Sequence, residues 1–241
     1  MDTMQKLAVP ISIVVAGALI AGAVFFVNMN NATAGPADPG SGVVAEEIRG
    51  VQPDDHILGN PNAKLVIVEF SDTECPFCKQ FHGTLHRVIE EYGGSGEVAW
   101  VYRHFPLPQL HPNAPKQAEA LECAAELGGN ELFWRYTDLL YQTMPQTGLD
   151  MGAYDVTGRS ARTDGGQLVD MAAELGMDTA AFQSCLDSGK YESRVELDWN
   201  EAVAAGGRGT PHSIIIVDGE QIPIEGAQPF EVVKGIIDTL L

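Results

Sequence analysis

The chain has 241 residues, of which 45% are hydrophobic, so it is long enough to bury the core of one elaborated domain. Its formal net charge is −19, and so acidic a surface repels both phosphate backbones and anionic lipid headgroups. The composition therefore argues against nucleic-acid binding and against charge-driven docking on a membrane.

The N-terminal segment is apolar and uncharged from residue 7 to residue 27, which is long enough for a helix that crosses a bilayer. Residues 1–28 are therefore predicted to be a single transmembrane anchor, with Lys6 favouring a cytoplasmic N-terminus. A cleaved signal peptide is the alternative, because the small residues Ala32–Ala34 resemble a cleavage site. In both cases the rest of the chain is expected outside the cytoplasm, either held at the cell membrane or free in the periplasm.

Residues 29–56 contain many Gly, Pro, Ala and Asn residues and no sustained apolar period. This composition is typical of a flexible linker. A folded domain is predicted to occupy residues 57–241.

The domain begins with a strand, a helix and a second strand. Residues 64–71 form a β-branched run whose interior is apolar except at Glu69, as in a central strand that is covered on both faces. Residues 76–91 are predicted to be a helix, because apolar side chains recur at steps of four: Phe77, Phe81, Leu85 and Ile89. A second strand is predicted at 97–103, which makes the unit a parallel crossover.

Helical patterns predominate from about residue 113 to residue 205, with a predicted loop at 145–166, and β patterns return after the Gly-rich break at 206–210. Two short strands at 212–217 and 220–226 flank an Asp-Gly turn and are predicted to form a hairpin. A last helix is predicted to begin at Pro229. The order βαβ, helices, ββα indicates an α/β fold with a helical insertion between the second and third core strands.

The four cysteines are Cys75, Cys78, Cys123 and Cys185, and an even number favours pairing in an oxidising compartment. Zinc usually takes four ligands from two close pairs. The last two cysteines are far apart, with no histidine pair at helix spacing near either, so no metal site is predicted. A disulfide between Cys75 and Cys78 closes too short a loop to stabilise the fold much. Their spacing instead suits thiol–disulfide exchange, in which one thiolate attacks and the other resolves the mixed disulfide.

Cys75 is predicted at the N-cap of the helix, with Pro76 in its first turn. Free backbone N–H groups and the positive end of the helix dipole stabilise a thiolate there, which lowers the pKa of the thiol. Cys78 lies one turn further along and suits the resolving role. The acidic side chains of Asp72 and Glu74 oppose the lowering of the pKa.

Cys123 and Cys185 fall within separate predicted helices. A disulfide between them would close a loop of about 63 residues and stabilise the fold by about 4 kcal/mol in the chain-entropy description. A structural disulfide is therefore the first interpretation. A second redox pair and two unpaired buried thiols are the alternatives.

From about residue 57 to residue 241 the chain resembles the DsbA-type thiol–disulfide oxidoreductases of the thioredoxin superfamily. The residues that carry the resemblance are the Cys-Pro-Phe-Cys motif at the strand–helix junction, the helical insertion and the Thr210-Pro211 step before the hairpin. The resemblance implies a thioredoxin-like fold and a redox disulfide between Cys75 and Cys78, with no separate cofactor. It also implies that Cys75 is the exposed nucleophile and Cys78 the resolving thiol.

Further roles follow from the same resemblance. Pro211 matches a cis-proline that faces the redox pair in the family, and Thr210 can pair with an extended substrate segment as an added strand. Glu69 matches a buried acid six residues before the nucleophile; desolvation should raise its pKa and let it exchange the proton of Cys78. The alternative for Glu69 is a carboxylate that reaches a sheet edge or pairs with a lysine.

Pro76 and Phe77 are expected to line the substrate site, and there the chain departs from the family pattern. Well-known strong oxidants have Pro-His at these positions, so one stabiliser of the thiolate is missing and the direction of electron flow stays open. His212 either adds positive charge beside the redox pair or is a strand residue facing solvent. The other histidines considered are assigned to structural or surface positions: His82, His104 and His111.

The sequence supports three functional hypotheses. The first is a monomeric, membrane-tethered oxidase that introduces disulfides into exported, partly folded proteins and is reoxidised by a quinone-linked membrane partner of the DsbB or VKOR type. The second is a reductase or isomerase with the same redox pair. The third is a non-catalytic thioredoxin-like module or chaperone that binds peptides around Pro211.

Overall fold

A computed structural model gives the fold and describes residues 45–143 and 166–241. The predicted anchor, its cleavage-site alternative and residues 29–44 of the predicted linker lie outside the described residues. Within the two described ranges, no helix has both the length and the apolar character needed to span a bilayer.

The core of the domain is a five-stranded mixed sheet in the spatial order β1-β3-β2-β4-β5. β2 runs parallel to β3 and antiparallel to β4, while β1 and β5 pair antiparallel at the two edges. Every residue of β2 is buried, which explains its nearly continuous apolar sequence. The strands are β1 (His56–Gly59), β2 (Leu65–Ser71), β3 (Val98–His104), β4 (His212–Val217) and β5 (Glu220–Glu225).

Helix α1 (Pro76–Tyr92) connects β2 to β3, so the predicted parallel crossover is confirmed. Phe81 and Leu85 of its predicted apolar face are buried against the sheet. Phe77 differs, because 61% of its surface is exposed. It lies in the first turn of the helix, two residues after Cys75.

The predicted helical insertion between β3 and β4 is confirmed, and its described residues form four helices. They are α2 (Ala114–Thr143), α3 (Gly166–Glu174), α4 (Thr179–Ser188) and α5 (Glu192–Ala204). α2 is interrupted at Gly128 and Gly129, and Gly129 adopts a left-handed conformation with φ 68°, which favours glycine. The last helix, α6 (Phe230–Leu240), packs beside α1.

Alternating residues of β2 face two separate cores. Leu65 and Ile67 belong to a large core that also includes buried side chains of α1 and α2. Val66 and Val68 belong to a smaller core with Ala202 of α5. Because side chains alternate along a strand, Glu69 lies on the same face as Leu65 and Ile67, toward α1.

Residues 45–56 pack against the domain, although the sequence assigned them to the flexible linker. Ile48 is buried in the smaller core, its backbone N–H donates to Oε1 of Gln221 at 2.8 Å, and β1 pairs with β3 from His56 onward. β1 also precedes the first strand predicted from the sequence. A four-residue edge strand is too short to show an alternating pattern, and the segment before it is held mainly by polar contacts.

Those polar contacts converge on Arg103, whose side chain is completely buried. Its Nε and Nη2 donate to the two carboxylate oxygens of Asp55 at 3.1 and 2.8 Å, and its Nη1 donates to Glu201 of α5 at 3.1 Å. Nη1 and Nη2 also donate to the carbonyl oxygens of Arg49 and Gly50. This side chain therefore fixes the segment before β1 to the sheet and to α5.

Candidate redox site

The redox motif lies where β2 ends and α1 begins. The Cys75 N–H donates to the Asp72 carbonyl oxygen at 3.1 Å, which closes a turn after the strand. Cys75 then occupies the N-cap of α1 in an extended conformation, and Pro76 follows at the first helical position, where its missing N–H costs no hydrogen bond. The local sequence thus places one sulfur at the start of the helix and the other one turn along it.

Both thiols of the motif are free in this structure and both are buried, Cys78 completely. The Cys75 thiol faces the loop before β4, and its Sγ donates to the Thr210 carbonyl oxygen at 3.4 Å. The Thr210–Pro211 peptide bond is cis. The structure therefore brings the pair Cys75 and Cys78 together with the pair Thr210 and Pro211, which lies 135 residues further along the chain.

The surroundings separate the pKa values of the two thiols. A hydrogen bond from Cys78, with help from backbone N–H groups of the first turn, lowers the pKa of Cys75 to about 6 although burial opposes it. Burial raises the pKa of Cys78 well above that of an ordinary thiol, and the adjacent Cys75 adds to the increase. At pH 7 a thiol with a pKa near 6 is about nine-tenths thiolate, against about 3% for an ordinary cysteine. Cys75 is thus suited to attack and to leave, and Cys78 to hold its proton.

Asp72 and Glu74, the two acids just before Cys75, are both held by hydrogen bonds. Asp72 accepts from the backbone N–H of Leu107 at 2.7 Å and from that of Glu74 at 2.8 Å. Glu74 accepts from the backbone N–H groups of Asn113 and Ala114 at the start of α2. These contacts anchor the loop before Cys75 and disperse negative charge that would otherwise oppose a thiolate there.

His111 is a residue of this site that the sequence assigned to a structural or surface position. It is buried, and its Nδ1 lies 2.8 Å from Oδ2 of Asp72. Burial alone would lower the pKa of His111, but the hydrogen bond and charge of Asp72, with smaller contributions from Cys75 and Glu74, raise it overall. His111 therefore holds its proton more tightly than an ordinary histidine, and it does so close to Cys75 although the motif itself lacks a histidine.

Glu69 is completely buried beneath the motif. One carboxylate oxygen accepts from Ser71 Oγ at 2.8 Å, whereas the other has no hydrogen-bond partner among the described residues. Desolvation raises the pKa of Glu69 to about 8. The neighbouring residue on β4 is Ser213, whose buried hydroxyl likewise has no partner in the described part of the chain. Glu69 does not reach an edge and forms no ion pair with a lysine within the described ranges.

Apolar surface is exposed on both sides of this region of the chain. Phe77, two residues after Cys75, and Leu110, next to His111 in the sequence, are the two most exposed large apolar side chains in the described ranges, at 61% and 63%. Thr210, whose carbonyl oxygen accepts from the Cys75 thiol, is partly buried. His212, for which the sequence left two interpretations, instead stacks on Phe70 in the smaller core, and burial lowers its pKa.

Cys123 of α2 and Cys185 of α4 are joined by a disulfide across 62 residues of sequence. Both sulfurs lie in the large core, on helices of the insertion. A loop of this length corresponds to about 4 kcal/mol of stabilisation through the unfolded state. This pair links two helices and leaves Cys75 and Cys78 as the two free thiols among the described residues.

A cluster of possible metal ligands lies further along α1, where the sequence predicted no metal site. His82, His86 and Asp138 offer ligand atoms that all lie within 4.8 Å of one another. The i, i+4 spacing of the two histidines is visible in the sequence. The cluster contains no cysteine, and its carboxylate comes from α2, which is distant in the sequence. It was therefore not predicted.

A sequence profile for the family described as thioredoxin matches residues 51–239 of this chain. The chain belongs to the thioredoxin family. Within this family its fold is that of the DsbA-type thiol–disulfide oxidoreductases, as the following structures show.

Solved structures of this type superpose on most of the family domain. DsbA2 of Pseudomonas aeruginosa is 28% identical, with a TM-score of 0.61 over 80% of this chain and 97% of that one. BdbD of Bacillus subtilis in its oxidised form is 20% identical, with a TM-score of 0.63 over 80% and 98% of the two chains. Wolbachia pipientis α-DsbA1 is 22% identical, with a TM-score of 0.64 over 79% and 92%. The latter two likenesses concern the fold alone.

Two curated relatives are much longer proteins. The Na(+)/H(+) antiporter NhaA 1 of Mycobacterium sp. (strain KMS) is 40% identical over 118 residues, which are 45% of this chain and 19% of the antiporter. The antiporter NhaA of Herminiimonas arsenicoxydans is 32% identical over 168 residues, or 70% of this chain and 23% of that protein. The chain thus spans about a fifth of the length of these relatives, and ion transport is not carried over to it.

Proposed function

We propose that this thioredoxin-family protein is an extracytoplasmic thiol–disulfide oxidoreductase that introduces disulfides into exported proteins through Cys75 and Cys78. The observation that carries the proposal is the placement of Cys75 at the N-cap of α1, one turn before Cys78 and facing the cis Thr210–Pro211 bond. This placement lowers the pKa of Cys75 to about 6. A stabilised thiolate makes the reduced form of the pair more stable, and a pair with a stable reduced form is a better oxidant.

The first step uses the oxidised Cys75–Cys78 disulfide. A substrate thiolate attacks Sγ of Cys75; a bond forms between these sulfurs, the Cys75–Cys78 bond breaks, and Cys78 leaves as a thiolate. Because the pKa of Cys78 is raised well above its usual value, this thiolate takes up a proton. Glu69, with a pKa of about 8, is protonated at neutral pH, so it is the proposed proton donor.

The second step releases the product. A second substrate thiolate attacks the substrate sulfur of the mixed disulfide; the substrate disulfide forms, and the bond to Cys75 breaks. Cys75 leaves as a thiolate that is stable at neutral pH because its pKa is near 6, and a low leaving-group pKa speeds this step. Two electrons pass from the substrate to the pair.

The substrate is proposed to bind as an extended segment between α1 and the loop before β4. The Thr210 backbone lies beside the Cys75 sulfur and can pair with such a segment as an added strand. Pro76 and Phe77 line the α1 side, and Phe77 exposes apolar surface, with 61% of its surface accessible. An apolar surface of this kind suits incompletely folded proteins, whose apolar residues are accessible.

Location and partners are part of the same proposal. The Cys123–Cys185 disulfide supports an oxidising compartment, where structural disulfides persist. The apolar segment at 7–27 supports a single-pass anchor, with cleavage as the alternative. A quinone-linked membrane protein of the DsbB or VKOR type is the proposed acceptor of electrons from the reduced pair.

The proposal is tested with the full chain, oxidised and kept in detergent because of its apolar N-terminal segment. We expect it to introduce disulfides into a reduced, unfolded substrate with two cysteines. Cys75→Ser should abolish the reaction, whereas Cys78→Ser, oxidised with a small disulfide, should form a long-lived mixed disulfide at Cys75. Activity that persists in Cys75→Ser, or full function in cells when both thiols are replaced, would overturn the catalytic assignment in favour of a binding module.

The direction of electron flow has its own test. The oxidised and reduced chain is equilibrated with glutathione, and the state of each cysteine pair is read by mass. The oxidase assignment expects a pair more oxidising than cytosolic thioredoxins, whose potential is about −270 mV. A potential at or below that value, together with a reduced pair after thiol trapping in cells, would favour the reductase or isomerase.

A further inference from the structure

His82 and His86 lie one turn apart on α1, and Asp138 faces them from α2. Nε2 of His82 is 2.7 Å from Oδ1 of Asp138, and Nε2 of His86 is 2.9 Å from the same oxygen. The two Nε2 atoms are 3.1 Å apart. Three potential ligand atoms from three side chains therefore converge on one point between the two helices.

No placement of protons on the two Nε2 atoms gives favourable hydrogen bonds among all three side chains. If both imidazoles carry a proton on Nε2 and donate to the Asp138 oxygen, the two N–H groups point at nearly the same place and repel each other. If one Nε2 is unprotonated, it presents a lone pair to a carboxylate oxygen. A cation between the three atoms would use both nitrogen lone pairs and the carboxylate charge, which removes either conflict.

The cluster lies between the protein interior and the surface. The side chain of His82 is 7% exposed, and those of His86 and Asp138 are each 34% exposed. Imidazole nitrogens and carboxylate oxygens both bind metal ions directly.

The distances suit a small transition-metal ion. A tetrahedral zinc ion with bonds of about 2.0–2.1 Å holds its ligand atoms about 3.4 Å apart. The ligand atoms here are 2.7–3.1 Å apart, so each needs to move outward by only a few tenths of an ångström. Two imidazoles and one carboxylate are ligands that zinc accepts, whereas magnesium and calcium prefer oxygen ligands alone.

The cluster also has an access path. It opens into a surface cleft of about 310 Å³ that is lined by Gly83 and Gln142 among others. A Cβ added at Gly83 would contact nothing within 4 Å, so there is room for water to complete the coordination. Lys79 lines the same cleft, and its positive charge opposes a cation, which makes this a weaker site than a four-ligand structural site.

We propose that His82, His86 and Asp138 form a binding site for a divalent transition-metal ion, with zinc as the expected ion and water at the remaining positions. The site is separate from the redox pair, since its ligands include neither thiol. It links α1, which carries Cys75 and Cys78, to α2 of the insertion.

The test is zinc binding by the full chain in detergent, with the Cys75–Cys78 disulfide formed so that no thiolate of this pair can bind metal. We expect one equivalent of zinc to bind saturably and to raise Tm, because a ligand that binds only the folded state stabilises it. Neither magnesium nor calcium should do so. Asp138→Asn and His86→Asn should each weaken zinc binding at least tenfold.

Asp187→Asn is the matched control, since Asp187 is an exposed helical aspartate on α4 and its loss should leave zinc affinity within twofold. His86 is partly exposed, so His86→Asn remains informative if Asp138→Asn fails to fold. Absence of saturable zinc binding, or binding that His86→Asn leaves within twofold of the parent, would overturn the proposal. The three side chains would then be a hydrogen-bonded contact between helices.

Discussion

Glu69 and Asp55 are both buried acids, and they lie on opposite faces of the same sheet. Asp55 accepts two hydrogen bonds from Arg103 and one from the backbone N–H of Gln52. Glu69 accepts one from Ser71, and its second oxygen has no partner in the described part of the chain. Burial raises the pKa of both acids, but the Arg103 contacts reverse the effect at Asp55, so that its pKa is lowered while that of Glu69 rises to about 8.

The difference shows how one fold can use buried charge in two ways. Around Asp55 the charge is matched by a cation and by backbone donors, so it holds the segment before β1 in place. Around Glu69 the charge is left unmatched, so the group stays protonated at neutral pH and is available for proton transfer beside Cys78. The buried charge of Asp55 thus contributes to stability on one face of the sheet, and Glu69 supports the proposed proton transfer on the other.

Removing the guanidinium of Arg103, the partner of Asp55, should give the largest loss of stability. Arg103→Met removes the completely buried partner of Asp55 and Glu201. Asp55 keeps Arg194 at 3.6 Å and Glu201 keeps Arg49 at 3.2 Å. Breaking a buried ion pair on one side costs about 3–5 kcal/mol. Urea unfolding of the full chain measures this loss. The control is Arg135→Met, since Arg135 is half exposed and, among the described residues, pairs with Glu131 at helical i, i+4 spacing; its expected change is below about 0.5 kcal/mol. Equal losses in the two variants would contradict the assigned role of Arg103.

Replacing Glu69 by a neutral side chain should increase the stability of the fold at neutral pH. The folded-state pKa of Glu69, about 8, is above its unfolded value of 4.5, so the folded state holds its proton more tightly and loses relative stability as pH rises from about 4.5 to about 8. Glu69→Gln avoids this loss. It should be close to the parent in stability below pH 4.5, more stable by about 3 kcal/mol at pH 7, and more stable still at pH 8, above which the difference levels off.

Unfolding of parent and Glu69→Gln across this pH range measures the effect. The same variant should slow the release of Cys78 in the first exchange step about 10²-fold, as expected for loss of a general acid. A stability difference that does not change with pH would mean that Glu69 is not protonated in the folded protein.

Asp55→Asn should show the reverse pH dependence with a smaller effect. The folded-state pKa of Asp55 is lowered from 3.8, so its contribution to stability is present above that pH and is lost as pH falls through the folded value. We expect the variant to be less stable by about 2 kcal/mol at pH 7, the scale of a charge-assisted hydrogen bond. The difference should shrink below pH 3.8. A loss that is constant from pH 7 to acid would point to packing instead of charge.

The parts of the fold that could be predicted from the sequence are those with local patterns. The apolar run of β2, the helical period of α1 and the Asp-Gly turn between β4 and β5 each reveal an element within a few residues. Asp218 and Gly219 of this turn have φ values of 51° and 83°, as the turn type requires. The fold class and the helical insertion followed from these elements and from the family resemblance.

The parts that could not be predicted depend on contacts between distant residues. Asp55 and Arg103 are 48 residues apart, and Asp72 and His111 are 39 apart. No local period marks either pair, so the segment before β1 was taken for linker. His82 and His86 show helical spacing in the sequence, but their partner Asp138 comes from a different helix and its position depends on packing.

His111 offers the finest test of how the fold tunes reactivity without a histidine in the motif. A thiolate at Cys75 raises the pKa of His111, and interactions between titrating groups are reciprocal. A protonated His111 must therefore lower the pKa of Cys75. His111→Asn should raise the pKa of Cys75 by less than about one unit and reduce the thiolate fraction at pH 6, as measured by ultraviolet absorbance of the thiolate in the reduced chain. His212→Asn is the control, because His212 stacks on Phe70 in the smaller core. Equal shifts in both variants would show that His111 does not act directly on Cys75, and the low pKa of Cys75 would then be due to Cys78, Thr210 and the first turn of α1.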